Sequence, residues 1–417
     1  MELRLQADST LARTRAGDRR YVTLSFAAPR RESVTKRDAL RVGLALDRSG
    51  SMAGHKIVTA RTGAERALRL LDVRDHFTLV AFDHEVQVVS GIGPATPERI
   101  RHALEVLHAV EARGNTNLAD GWMCAAHEAR HAPGEHMPAR ILLVTNGQAN
   151  IGLTDTTTLV QRAAELRERG IVTSTLGIGE DFNEELLQGI ADAGGGHFYY
   201  VERVEQLGDM LTGELGESLE VTLRSPRVVV EYPGGVQVRL LDRYDTQRTP
   251  DGLAARLNDL TSGQLVQLTF EVQLPGGHEH DVAAVTFRVR GTDGESLTSA
   301  TVQFRRVRDD EFLRADRDRS VLERVMRMAG SARMHEALSL HSRRDYASAS
   351  TRLRALAAEY EDFPTDDPVL LEMRAQLLAD AERLSAPMAA MATKQLHFDA
   401  YAALKGRTGS GSARKSE

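Results

Sequence analysis

Between residue 41 and about residue 215 the chain alternates short apolar runs with longer amphipathic segments, a pattern that leaves few folds open. Runs at 41–47, 76–82, 140–145, 171–177 and 197–201 each have the length of one strand. Between them, Ile57, Ala60, Ala64, Ala67, Leu68 and Leu71 recur at helical spacing, as do Leu159, Ala163 and Leu166. Val86-Gln-Val-Val89, following Asp83-His-Glu85, predicts an edge hairpin. Strands joined by helices make a parallel α/β sheet, and such sheets bind ligands just past the carboxyl ends of their strands.

The periodicity changes over residues 216–308. Val266, Leu268, Phe270, Val272 and Leu274 alternate with Gln267, Thr269, Glu271 and Gln273, and Pro275-Gly-Gly277 closes the run. Further runs at 219–224, 227–232, 235–241, 282–289 and 297–306 bring the count to about six strands, which predicts an antiparallel β-sandwich. Residues 1–40 also alternate, through Leu3 and Leu5 and then Val22, Leu24 and Phe26. Two strands alone bury no core, so these are expected to complete the sandwich, with the α/β domain of residues 41–215 inserted in it or beside it. Residues 309–404 return to helix, with Val321, Leu322, Val325, Met326 and Met328 on one apolar face. Asp345-Tyr346-Ala-Ser-Ala349 with Leu353 and Leu356 resembles a tetratricopeptide hairpin, but no repeat of period about 34 accompanies it, so a small helical bundle is expected. Met388 and Met391 are expected to fill its core. The glycine- and serine-rich stretch 405–417 is expected to be a disordered tail.

Composition excludes some classes of partner. With 53 basic and 59 acidic residues the net charge is −6, which supplies no electrostatic attraction to nucleic acid or to an anionic membrane. The N-terminus carries charges where a signal peptide needs an apolar core, and no apolar run approaches the roughly 18 residues of a membrane span. Cys124 is the single cysteine, so no intrachain disulfide can form and a reducing, cytoplasmic setting is expected, with this thiol buried and inert.

The first apolar run, Arg41-Val-Gly-Leu-Ala-Leu46, leads directly into Asp47-Arg-Ser49-Gly-Ser51-Met52. One carboxylate and two hydroxyls on a glycine-bent loop match the demand of Mg²⁺, which takes oxygen ligands, keeps several waters and uses few carboxylates. Serine, glycine and aspartate are also the residues of loops and helix caps, so this loop alone does not establish a metal site. Two more stretches follow in order: Gly114-Asn-Thr116-Asn-Leu-Ala-Asp-Gly121 and Ile141-Leu-Leu-Val-Thr145-Asn146-Gly147-Gln-Ala-Asn150.

Together the three stretches resemble the von Willebrand factor type A (VWA) domain, and some bacterial proteins of this family have a similar layout. The resemblance implies a Rossmann-like α/β fold and a metal-ion-dependent adhesion site (MIDAS). Asp47, Ser49 and Ser51 match the first loop of that site, Thr116 the second and Asn146 the third. Mg²⁺, or Mn²⁺ or Ca²⁺, is the implied cofactor, and a protein partner offering an Asp or Glu carboxylate is the implied ligand. Such domains serve as adhesion receptors or intracellular adaptors rather than enzymes. The chain departs from the family pattern at one position: Asn146 stands where the third loop usually carries an aspartate. Asp47 is then the one formal negative charge among the five positions, which leaves a bound cation under-neutralised and favours an anionic sixth ligand. Asp120 and Asp155 lie close in sequence to the loops and are candidates to make up the charge. The alternative is a structural scaffold with a vestigial metal site.

A competing motif, His127-Glu128-Ala-Arg-His131, matches the His-Glu-x-x-His pattern of zinc metallohydrolases. Gly134 fits the extended form of that motif, but the third histidine is at 136 where the motif needs 137, which is Met137. At about 100° per residue, Leu118, Trp122, Ala125 and Ala129 share one helix face and both histidines lie on the opposite one. The histidines are therefore expected on a solvated face. Gly194-Gly-Gly196 reads as a helix C-cap and loop, and lacks the Lys and Ser/Thr of a phosphate-binding loop.

Overall fold

The computed structural model describes residues 1–31, 38–131, 137–203, 205–363 and 367–407. Residues 408–417 of the expected tail, and Gly134 and His136 of the extended zinc motif, lie outside this set. The chain divides into two compact units. Among the described residues, one comprises Met1–Arg31 and residues 222–407, and the other lies between them in sequence.

The first unit begins with strands β1 (Leu3–Ala7), β2 (Leu11–Arg13) and β3 (Asp18–Ala27). The second unit then runs β4 (Arg41–Asp47), α1 (His55–Leu68), β5 (His76–Phe82), β6 (Val86–Pro94), α2 (Pro97–His108), α3 (Leu118–Arg130), β7 (Ala139–Thr145), α4 (Thr156–Glu168), β8 (Ile171–Ile178), α5 (Glu184–Gly194), β9 (Gly195–Val201) and α6 (Gln206–Leu219). Its sheet has the order β6-β5-β4-β7-β8-β9, and all neighbours are parallel except the edge hairpin β5/β6. This is the α/β architecture implied by the alternating pattern.

Burial on both faces of the sheet explains the uninterrupted apolar runs: Val42, Leu44, Ala45 and Leu46 of β4 and every residue of β7 are buried. Leu44 and Leu46 pack with Ala60, Ala64 and Ala67 of α1 in one core. On α3, Leu118, Trp122, Ala125 and Ala129 are buried while His127 is exposed, as the 3.6 period requires. Gly121 lets α3 lie close against β5, because a methyl group there would collide with the Phe82 ring. Cys124 is half-buried rather than buried, and burial together with nearby Glu128 raises its thiol pKa.

The first unit resumes with β10 (Val221–Leu223), β11 (Arg227–Glu231), β12 (Gln237–Leu240), β13 (Asp245–Thr249), β14 (Gly252–Arg256), β15 (Leu260–Thr261), β16 (Leu265–Leu274), β17 (Val282–Arg290) and β18 (Ser296–Val307). Two sheets of order β1-β3-β16-β12 and β13-β14-β11-β17-β18-β2 face each other across a core that includes Leu24, Phe270, Phe287 and Phe304. The N-terminal β3 pairs with β16 over its full length, from Ala27 opposite Leu265 to Asp18 opposite Leu274. Pairing is antiparallel except between β2 and β18, which are parallel. The hairpin β13/β14 has no counterpart among the expected strands. Four of the five residues of β13 are exposed, so it carries no alternation to read.

Helices α7 (Asp309–Arg314), α8 (Arg319–Ser342), α9 (Tyr346–Glu359), α10 (Pro368–Arg383) and α11 (Ala390–Leu404) complete this unit. Val321, Leu322, Val325 and Met326 enter a core shared with Leu353, Leu356, Leu377 and Tyr21. Arg324 of α8 donates to Asp242, to the hydroxyl of Thr269 and to Gln267, which ties the helices to β16. Lys405 and Arg407, placed in the expected tail, are buried instead, and Arg407 N bonds to Ala402 O.

Candidate metal centre

The carboxyl ends of β4 and β7 lie side by side, because Leu46 is in register with Val144. Each strand therefore delivers its next residues to the same place: Asp47 from one, Thr145 and Asn146 from the other. The chain leaves β4 through a 3-10 turn, Gly50–Met52, before α1 begins. The second loop is tied to the first, since Gly50 N donates to Gly114 O and Arg113 N donates to Arg48 O. Thr116 is then held from the third loop: its N–H donates to Asn150 Oδ1 at 2.9 Å.

Asp47 is fully buried. Its Oδ1 accepts from Ser49 N at 2.7 Å and its Oδ2 from the Thr145 hydroxyl at 2.5 Å. The hydroxyls of Ser49 and Ser51 are 3.1 Å apart. Ser51 donates to Asn146 Oδ1 at 2.9 Å, while Asn146 Nδ2 donates to Ser51 O at 2.7 Å. Ser49, Thr116 and Asn146 are buried and Ser51 is exposed, so the cluster opens to solvent beside Ser51.

Gly147 defines the space between these groups. A Cβ there would sit 2.8 Å from Thr116 Oγ1, 3.7 Å from Asp47 Oδ2 and 3.7 Å from Ser51 Oγ. Glycine in the third loop thus keeps open a point on which oxygens from the first and second loops converge. A carboxylate and hydroxyls around this point, with the Asn146 amide oxygen 2.9 Å from Ser51 Oγ, form an all-oxygen donor set, which fits Mg²⁺ or Mn²⁺ by chemistry. Burial pushes the Asp47 carboxyl pKa up, against hydrogen bonds from Thr145, Ser49 and the Asn146 backbone. A cation beside it would reverse that direction.

The structure brings Asp47, Ser49, Ser51, Thr116 and Asn146 together. Asp120 and Asp155, the candidates for extra charge, serve other ends. Asp120 accepts from Asn117 Nδ2 at the start of α3, and Asp155 caps α4 by accepting from Thr158. Two supporting residues went unnoticed in the sequence. Thr145 orients Asp47, and Asn150 fixes Thr116; both sit in the third stretch, where polar residues directly following a buried strand were the available signal.

Arg48 is buried and its guanidinium lies 2.9 Å from Asp83 Oδ2. Arg113 bridges Asp83 and Glu85. Burial would raise the Asp83 carboxyl, but the Glu85 N–H and the two guanidiniums outweigh it and hold the pKa below the usual range.

The His127–His131 pair does not form a comparable centre. Both are exposed, their rings are 4.2 Å apart, and His131 Nδ1 lies against His127 O. The Glu128 carboxylate accepts from Ile92 N of β6. Among the described residues, no group of three metal-ligating His, Cys, Asp or Glu side chains includes them.

A family model for the von Willebrand factor type A domain matches residues 42–213. Uncharacterized protein YfbK of Escherichia coli (strain K12) is 24% identical over 241 residues, which is 55% of this chain and 41% of that protein. Uncharacterized protein sll0103 of Synechocystis sp. is 24% identical over 292 residues, 66% of this chain and 67% of that protein. The chain therefore spans about two fifths of the length of the first relative and two thirds of the second. Among solved structures, a von Willebrand factor type A protein from Catenulispora acidiphila superposes with a TM-score of 0.69 at 17% identity, covering 92% of this chain and 89% of that one. At that identity the likeness concerns the fold, and it extends across both the α/β and the β-rich parts.

Proposed function

Residues 42–213 are a von Willebrand factor type A domain, a family that generally mediates protein–protein interactions and commonly binds a divalent metal, and on that premise we propose that this chain is a metal-dependent interaction module. Asp47, Ser49, Ser51, Thr116 and Asn146 would hold Mg²⁺ or Mn²⁺ directly or through water. The ion, when bound, supplies a Lewis-acidic position for a partner's Asp or Glu carboxylate. The observation that carries this reading is the convergence of Asp47, Ser51 and Thr116 oxygens on the space kept open by Gly147. The neutral Asn146 deepens it, since a cation balanced by one carboxylate attracts an anionic ligand more strongly than one balanced by two. The single cysteine supports a cytoplasmic setting, and an adaptor role with no chemistry of its own is the reading that suits such a site.

The test is thermal unfolding of chelator-treated protein, wild type and Asp47→Ala, titrated with Mg²⁺ and Mn²⁺. A metal at about 100 times its dissociation constant stabilises the folded state by about 2.7 kcal/mol. The expected result is a rise in midpoint for wild type and none for Asp47→Ala. A second arm measures whether acetate or an acidic peptide binds wild type only when metal is present. No midpoint rise at millimolar metal would favour the scaffold with a vestigial site, for which the two hydrogen bonds between Ser51 and Asn146 already satisfy the cluster.

A further inference from the structure

A second group of ligating side chains sits at the β9 edge of the α/β sheet and is independent of the Asp47 site. His197 lies on β9, the edge strand, and Glu214 and Glu217 lie three residues apart on α6, on one helix face. One ligand atom from each, an imidazole nitrogen and two carboxylate oxygens, falls within 4.8 Å of the others. His197 Nδ1 and Glu214 Oε2 are 3.1 Å apart. This contact is a hydrogen bond in the metal-free protein, and two donors bonded to one ion at about 2.0–2.2 Å stand about 3.0–3.5 Å from each other, so an ion could replace the shared proton with little movement of either side chain.

The carboxylate at the centre is held in place by its neighbours. Glu214 Oε1 accepts from the Ser174 hydroxyl at 2.5 Å and Oε2 accepts from the Tyr199 hydroxyl at 2.5 Å. Ser174 Oγ in turn accepts from His197 N at 3.1 Å. Outer hydroxyls and amides that fix the ligand orientations are a regular feature of metal sites. Glu214 is 4% exposed, His197 16%, and Glu217 is half-buried, so the group is anchored on one side and reachable from solvent on the other. Asp83, His84 and Glu85 also come together, but guanidiniums of Arg48 and Arg113 neutralise that group.

We propose that His197, Glu214 and Glu217 form a second divalent-metal site selective for a first-row transition ion such as zinc. The imidazole nitrogen separates it from the all-oxygen Asp47 cluster, because nitrogen donors favour zinc over magnesium. Three protein ligands leave further positions for water or an external ligand.

Equilibrium dialysis of the chelator-treated full chain against Zn²⁺, with thermal unfolding alongside, tests this. Wild type and Asp47→Ala are expected to bind one zinc per chain with equal affinity, so loss of the Asp47 site and loss of this one are separable. His197→Ala and Glu217→Gln should each weaken zinc by more than the roughly 10–100-fold that loss of an outer hydrogen-bonding partner costs. Glu217 is half-buried and Glu217→Gln keeps its shape, so this variant keeps the test informative where His197→Ala fails to fold. Zinc binding that survives both changes, zinc binding abolished by His127→Ala with His131→Ala, or no zinc bound at micromolar concentration would each overturn the proposal.

Discussion

Asn146 carries the chemical individuality of the candidate metal centre. Its amide donates to Ser51 O and accepts from Ser51 Oγ, so it satisfies the loop in a way that an aspartate cannot. Asn146→Asp would place a second carboxylate close to buried Asp47 and remove the donor to Ser51. Without metal, that change is expected to destabilise the protein by roughly 1–3 kcal/mol, the cost of an unpaired buried polar group. With Mg²⁺ the loss should be recovered, because the added charge raises metal affinity by about tenfold or more. Denaturant unfolding with and without Mg²⁺ measures both effects, and an equal destabilisation in the two conditions would refute the account. Gly147→Ala is the steric counterpart. Its methyl would clash with Thr116 Oγ1 at 2.8 Å, so the metal-free midpoint should fall and the metal-induced midpoint shift should shrink.

At the level of elements, the cluster depends on two adjacent strand ends and on one loop held between them. Thr116 N donates to Asn150 Oδ1, while Asn150 N and Ile151 N both reach Thr116 O. The second and third loops are therefore tied to each other. Asn150→Ala leaves the Thr116 N–H without its side-chain acceptor, and metal affinity is expected to fall although Asn150 contributes no ligand; calorimetric titration with Mn²⁺ would read this. Helix α3 starts just after Thr116 and is anchored by Trp122, which is fully buried and donates to the Thr173 hydroxyl. Trp122→Ala should cost about 3–5 kcal/mol in chemical denaturation, as for other large buried aromatics.

For the molecule as a whole, pH enters through Asp242, which joins the β-rich core to helix α8. Burial pushes this carboxyl up to about 6, against the opposing pull of the Arg324 guanidinium and the Thr269 N–H. A folded-state value above the ordinary 3.8 means that the native protein holds the proton more strongly than the unfolded chain. The stabilising contribution of this group is therefore present below about pH 4 and is lost as pH rises to about 6, by roughly 3 kcal/mol. Subtracting the pH–stability profile of Asp242→Asn from that of wild type should show this fall; a flat difference would refute it. The α/β order, the strand positions and the buried face of α3 were all legible in the sequence, because a period of 2 or 3.6 is a local property of neighbouring residues. The five candidate positions were legible only through the resemblance of three stretches to a family motif, and their meeting around one point came from the fold. The β13/β14 hairpin was not legible, because exposed residues carry no periodicity, nor was the burial of Lys405 and Arg407, which depends on the surface they meet. The parallel pairing of β2 with β18, the service of Thr145 and Asn150 to the cluster, and the meeting of His197 with Glu214 and Glu217 were decided by tertiary structure alone. Each joins residues whose separation along the chain carries no record of their distance in space, whereas a strand or a helix face is written in residues that are neighbours in both.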